Sequence, residues 1–126
     1  MAYVRNNDTD FNYLVVGHVN YDPRQLTLLH IGRDVEKLPQ IMDDSKVLYA
    51  LAKYQMFIVD SKTVKFVYFH WIGEKVPFVE KVRYGVVHGS VEEKFSPFHL
   101  FIKTSNIDDF CTEKIMEKVM SVFEKK

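Results

Sequence analysis

The side chains that could do chemistry are few and scattered. Five histidines stand at positions 18, 30, 70, 88 and 99. None is paired with a second histidine or a cysteine at metal-ligand spacing, so neither a metal nor any other cofactor is expected. His18, His30 and His70 fall in strand-like segments and read as solvated or core-edge residues. Cys111 is the one cysteine, and it stands where a helix opens. A thiol there can have a depressed pKa, but a nucleophile also needs an orienting base, and the sequence shows none. The acidic pairs Asp43-Asp44 and Asp108-Asp109 flank helical stretches, where turn and helix-dipole roles account for them better than acid–base work. No phosphate-loop, dinucleotide-binding or nucleophile-elbow glycine pattern occurs. The residues therefore argue against an enzyme.

Composition narrows the class further. The 126 residues fit one domain, 1–126, long enough to bury a core without disulfides. Seventeen Lys and Arg balance seventeen Asp and Glu, which argues against a dedicated nucleic-acid binder. A lone cysteine cannot form an internal disulfide, so a reducing, cytoplasmic setting is expected. No apolar run approaches the roughly 20 residues that span a bilayer, and MAYVRNNDTD lacks the apolar stretch of a secretory signal.

The elements that must position any site alternate along the chain. Tyr13–Val19 and Leu26–Ile31 read as a hairpin around Tyr21-Asp22-Pro23. Asp34 can cap a short helix through about Met42, or the helix starts near Leu38 with Pro39 at its first position. Val47–Val59 and Val64–Ile72 are strands without clean apolar/polar alternation, the pattern of central strands covered on both faces. Phe98–Lys103 is a fifth strand. A last helix is expected from about Asp109 to Glu124, with Ile115, Val119, Val122 and Phe123 inward. The fold class is α+β: a central mixed five-stranded sheet flanked by helices on both faces.

Between Pro77 and Phe95 the periodicity conflicts with itself. Phe78, Val82 and Gly85 share one helical face beside Val86, whereas Val91 and Phe95 share another, out of phase. The spacing predicts a helix kinked at Gly89-Ser90, with Phe78 and Val82 inward. Gly85 and Gly89 each cost about 1 kcal/mol relative to alanine, and close packing on the sheet would account for them.

Four segments carry a family resemblance: residues 46–51 (KVLYAL), 65–74 (KFVYFHWIGE), 98–102 (FHLFI) and 115–119 (IMEKV). In this order and spacing they resemble the actin-depolymerising factor homology domain, in its coactosin and drebrin-like branch, over roughly residues 13–120. The resemblance implies an actin-binding protein of the cytoplasm and cytoskeleton. It would be a monomer that binds filaments in preference to actin monomers, without catalysis or strong severing, and phosphoinositide is a further partner the family implies. Pro77, Lys81 and Tyr84 fall on family positions of the long actin-binding helix. The chain also departs from the pattern. Ala2-Tyr3-Val4 would be only the last turn of the family's first helix, and cofilin's phosphorylatable serine has no counterpart. A lysine run in cofilin is Glu92-Glu93-Lys94 here. Regulation of the actin-nucleating Arp complex, as in glia maturation factor, is the alternative within the fold. A module that has lost actin for another protein is the alternative outside it. Coactosins are the domain and little else, and an ending on charged helix residues suits that form.

Candidate contact residues follow. Lys81, Tyr84 and His88 line one side of the long helix as an aromatic anchor between cations, the composition of an interface hot spot. Arg83 is a further candidate, pointing away from Lys81. Lys65 occupies the place of a lysine implicated in filament binding in coactosin-like proteins. Lys75, Lys114 and Lys118, with Lys125 and Lys126, would join Lys65 in a second basic surface. Trp71 is assigned to the core.

Overall fold

A computed structural model describes residues 11–19, 22–58 and 61–124, with the side chains of 56–58, 61, 62, 123 and 124 left aside. The apolar segments form five strands: β1 (Tyr13–Val19), β2 (Asp22–Gly32), β3 (Val47–Ile58), β4 (Ser61–Ile72) and β5 (Leu100–Thr104). They make one mixed sheet in the order β2-β1-β3-β4-β5. Three pairings are antiparallel, and β4 with β5 is parallel. Among the described residues the α-helices are a single turn, α1 (Leu38–Ile41), the long α2 (Phe78–Phe95) and α3 (Thr112–Glu124).

Both faces of the sheet are covered, which explains why β3 and β4 lack alternation. One face carries Val15, Leu48, Ala50, Ala52, Phe69 and Trp71 under α1, α3 and Phe110. The other carries Val16, Tyr49, Leu51 and Tyr68 under Tyr84, Val91 and Phe95 of α2. Trp71 is in the core, as expected, and its Nε1–H donates to the Asp43 carbonyl at 2.8 Å.

Near α1, both expected starts are used. Asp34 caps a 3-10 turn at Val35–Lys37 by accepting from the Glu36 N–H, and Pro39 sits in the first turn of α1. The last helix starts later than expected, because a 3-10 turn at Ile107–Phe110 precedes it. There Asp109 accepts from the Thr104 hydroxyl at 2.5 Å. Ile115 and Val119 point inward as expected, but Val122 is exposed. The side chain of Phe123, the stretch Ala2-Tyr3-Val4, and Lys125 and Lys126 lie outside the described residues.

Candidate functional site

The long helix departs most from the sequence expectation. It runs without interruption through Gly89-Ser90, so no kink reconciles two faces. Its inward stripe is Tyr84, His88, Val91 and Phe95, spaced i, i+4, i+7, i+11, one continuous helical face. Phe78, Val79, Val82 and Val86 face outward, with Phe78 78% and Val86 81% exposed. The expected inward face is therefore the outer one. The physical reason is the floor beneath the helix. Tyr49, Tyr68 and His70 present flat rings there, and rings pack on rings with more contact than a valine offers.

Tyr84 is accordingly not a surface anchor. It is 5% exposed, and its ring stacks on His18 with centroids 4.2 Å apart. His88 is half-buried, stacks on His70 at 4.0 Å, and shares a 3.1 Å hydrogen bond with the Tyr68 hydroxyl. His18 shares a 2.8 Å hydrogen bond with the Tyr49 hydroxyl. Three of the five histidines thus meet in one ring layer under α2, although the sequence scatters them over three elements. His70 is buried, not solvated. Burial, reinforced by His88 and Lys103, pushes its pKa down to about 3. Burial also lowers the pKa of His18 and of His88, and it raises those of the Tyr49 and Tyr68 hydroxyls. Among the described residues no group of three or more His, Cys, Asp or Glu has the geometry to hold a metal.

Gly85 and Gly89 are on the exposed part of α2, and a Cβ at either would meet nothing within 4 Å. Close packing on the sheet is not their reason. Replacing both with alanine is expected to stabilise the protein by about 1 kcal/mol at each site, measured by urea unfolding. A loss of stability would show that one of them has a structural role.

The remaining candidates fall into separate groups. Lys81 and Arg83 are exposed on opposite flanks of the outward face of α2. Lys114 and Lys118 are exposed on α3, on the other side of the sheet. Lys65 is half-buried near the start of β4, whereas Lys75 is exposed in the turn past its end. Seven residues of strand, roughly 23 Å, separate Lys65 from Ile72, so Lys65 and Lys75 do not share one basic patch. Sequence reasoning missed the outward Phe78, Val82 and Val86, and it missed Lys103, which β4–β5 pairing places opposite His70. The unbroken stripe from Tyr84 to Phe95 was the signal that could have revealed the helix phase.

A five-stranded mixed sheet lies between one long helix and a second helical layer, and the long helix carries an apolar outer face. The family profile described as cofilin/tropomyosin-type actin-binding protein matches residues 2–120, and the chain belongs to that family. Coactosin of Entamoeba histolytica is 25% identical over 118 residues, covering 91% of this chain and 77% of that protein. Its crystal structure superposes with a TM-score of 0.84 at 22% identity, over 94% of this chain and 87% of that one. Mouse coactosin, described as an actin filament binding protein, superposes with a TM-score of 0.77 at 22% identity, over 94% and 83%.

Proposed function

We propose that this protein binds actin filaments through the outward face of α2 and modulates their dynamics without catalysis or strong severing, in the cytoplasm. The observation that carries the reading is the exposed row Phe78, Val79, Val82 and Val86 on the long helix of an actin-binding family member. An apolar centre between Lys81 and Arg83 has the layout of an interface, with a desolvated core and a charged rim. The filament partner is the one named for mouse coactosin. Tyr84 and His88 act here as supports that hold the helix on the sheet, and Lys81 and Arg83 make the contacts. Glu93 is exposed on the outward side of the same helix. It favours the second reading, a module that has exchanged actin for another protein.

Co-sedimentation with actin filaments across a salt series tests the proposal. Pelleting is expected at low salt and should weaken as salt screens Lys81 and Arg83. Val82→Asp should lower the affinity at least about 10-fold, the scale of a hot-spot loss, with an unchanged melting temperature. No pelleting at any salt sinks the filament reading. Pelleting that survives Val82→Asp removes this face from it.

A further inference from the structure

A furrow runs along one flank of α2, between the helix and the β4–β5 end of the sheet. Its inner part, about 280 Å3, is lined by His70, Gly85 and His88 together with Lys81 and Lys103. Its outer part, about 470 Å3, is bounded by the same two lysines and by Ile72, Glu74 and Thr104. The outward apolar face does not account for this furrow.

Three features of the furrow lack a cause inside the chain. His70 is 4% exposed, and among the described residues its Nδ1 has no hydrogen-bond partner. A buried nitrogen left without a partner is unfavourable, which marks His70 as the least satisfied residue lining the furrow. Lys81 and Lys103 come from different elements and both line both parts. The His70–Lys103 pairing of the parallel strands fixes one of them beside the histidine. Gly85 forms the rim toward the outer face of the helix, and a Cβ there would meet nothing. A glycine that no internal packing requires leaves the mouth open to something from outside.

We infer that the furrow is an anion site that receives an acidic side chain of the protein docked on the outward face of α2. This rests on the filament-binding reading and adds the chemistry of one contact to it. The rim makes the connection. Gly85 lies on the arc of α2 between Lys81 and Phe78 at 100° per residue, so a partner covering Phe78 and Val82 is beside the opening. Charge decides the class of anion. Two lysines against Glu74 leave one positive charge among the lining residues, since burial disfavours a charge on both His70 and His88. That matches one carboxylate and is too little for a phosphate dianion. The carboxylate would accept from the two ammonium groups, charge-assisted bonds stronger than neutral ones.

The test compares filament co-sedimentation of the wild type, Lys103→Glu and Gly85→Leu, with Lys37→Glu as an exposed control near α1. Both furrow variants are expected to bind at least about 10-fold more weakly, with melting temperatures no lower than the wild type. Lys103→Glu should also flatten the salt dependence, and the control should bind normally. Wild-type pelleting with unchanged binding of both furrow variants overturns the furrow and leaves the filament reading standing. A second arm does not need the filament. The labelled protein is titrated with a short Asp- and Glu-containing peptide and, separately, with inorganic phosphate, followed by NMR. Saturable shifts at Gly85, Lys103 and the His70 ring with the peptide are expected. No shifts there, or a stronger response to phosphate, overturns the carboxylate assignment even if the wild type fails to pellet.

Discussion

Replacing Gly73 with alanine is expected to destabilise the protein by at least about 3 kcal/mol and to lower its melting temperature by roughly 10 °C or more. Gly73 is the glycine of the Trp-Ile-Gly-Glu turn that leads from β4 toward α2. The turn is docked on the segment just before β3. The Gly73 N–H donates to the Lys46 carbonyl at 3.0 Å, the Lys75 N–H donates to Asp44 at 2.8 Å, and Trp71 reaches Asp43. Asp43 in turn accepts from the backbone and hydroxyl of Ser45, at 2.8 and 2.6 Å, which fixes the acceptor turn. A Cβ at position 73 would overlap the backbone carbonyl of Asp44. A backbone group cannot swing aside, so the two turns must separate and their hydrogen bonds go with them. Gly17 provides the contrast. A Cβ there would meet the side-chain end of the exposed Leu29, which can rotate away. Gly17→Ala should therefore cost much less. Urea unfolding followed by the emission of Trp71, the single tryptophan, measures both. Gly73→Ala with wild-type stability would refute the docked turn.

The same turn shows why part of this protein can be read from its residues. A strand covered on both faces needs an unbroken apolar run, and β3 and β4 have one, so their existence and centrality are local information. The segment Val64–Ile72 with its Gly-Glu ending is legible for the same reason. The phase of α2 is not, because the reading counted valine and phenylalanine as inward and tyrosine and histidine as outward. That rule fails where the sheet beneath offers rings. Tyr49 stands opposite Val16 on one side and His70 on the other, and these pairings create a floor that suits Tyr84 and His88 better than Phe78 and Val82. The meeting of His18, His70 and His88 and the placing of Lys103 depend on register between strands far apart in sequence. No local pattern carries register. Lys65 and Lys75 are far apart for a related reason, since the segment between them includes most of β4. The actin-binding character came from motifs in order, and their order reflects the fold more than the contact residues.

Lowering the pH from 7.5 to 5 is expected to remove roughly 2 kcal/mol of stability through His70 alone, the second large effect. In the unfolded chain a histidine titrates near pH 6.5. In the folded protein burial, then His88, Lys103 and His18, holds His70 neutral down to about 3. Between those values the unfolded state binds a proton that the folded state refuses. Stability therefore falls as pH falls, by about 1.4 kcal/mol for each unit below 6.5. His18 and His88 shift in the same direction because burial is the largest cause at each, and they add to the loss. Asp22 opposes it at His18 and Glu92 opposes it at His88, so their share is smaller. The low carboxyl pKa of Asp43 acts in a different window. Hydrogen bonds from Ser45 hold that carboxyl below its usual value, and its stabilisation is lost only at more acid pH, which leaves the interval from 7.5 to 5 to the histidines. His70→Phe isolates the effect. Phenylalanine keeps a ring between Tyr49 and His88, which stack on His70 at 5.1 and 4.0 Å, and it cannot take up a proton. Urea unfolding of both proteins at pH 7.5 and 5 should show the wild type losing more than the variant by roughly 2 kcal/mol. Equal losses would mean that His70 accepts a proton while the fold stays intact. The ring layer lies directly under α2, so the helix bearing Phe78, Val82 and Val86 is the element whose seating weakens first. Filament binding should then decline over the same acid interval in the wild type and less in His70→Phe.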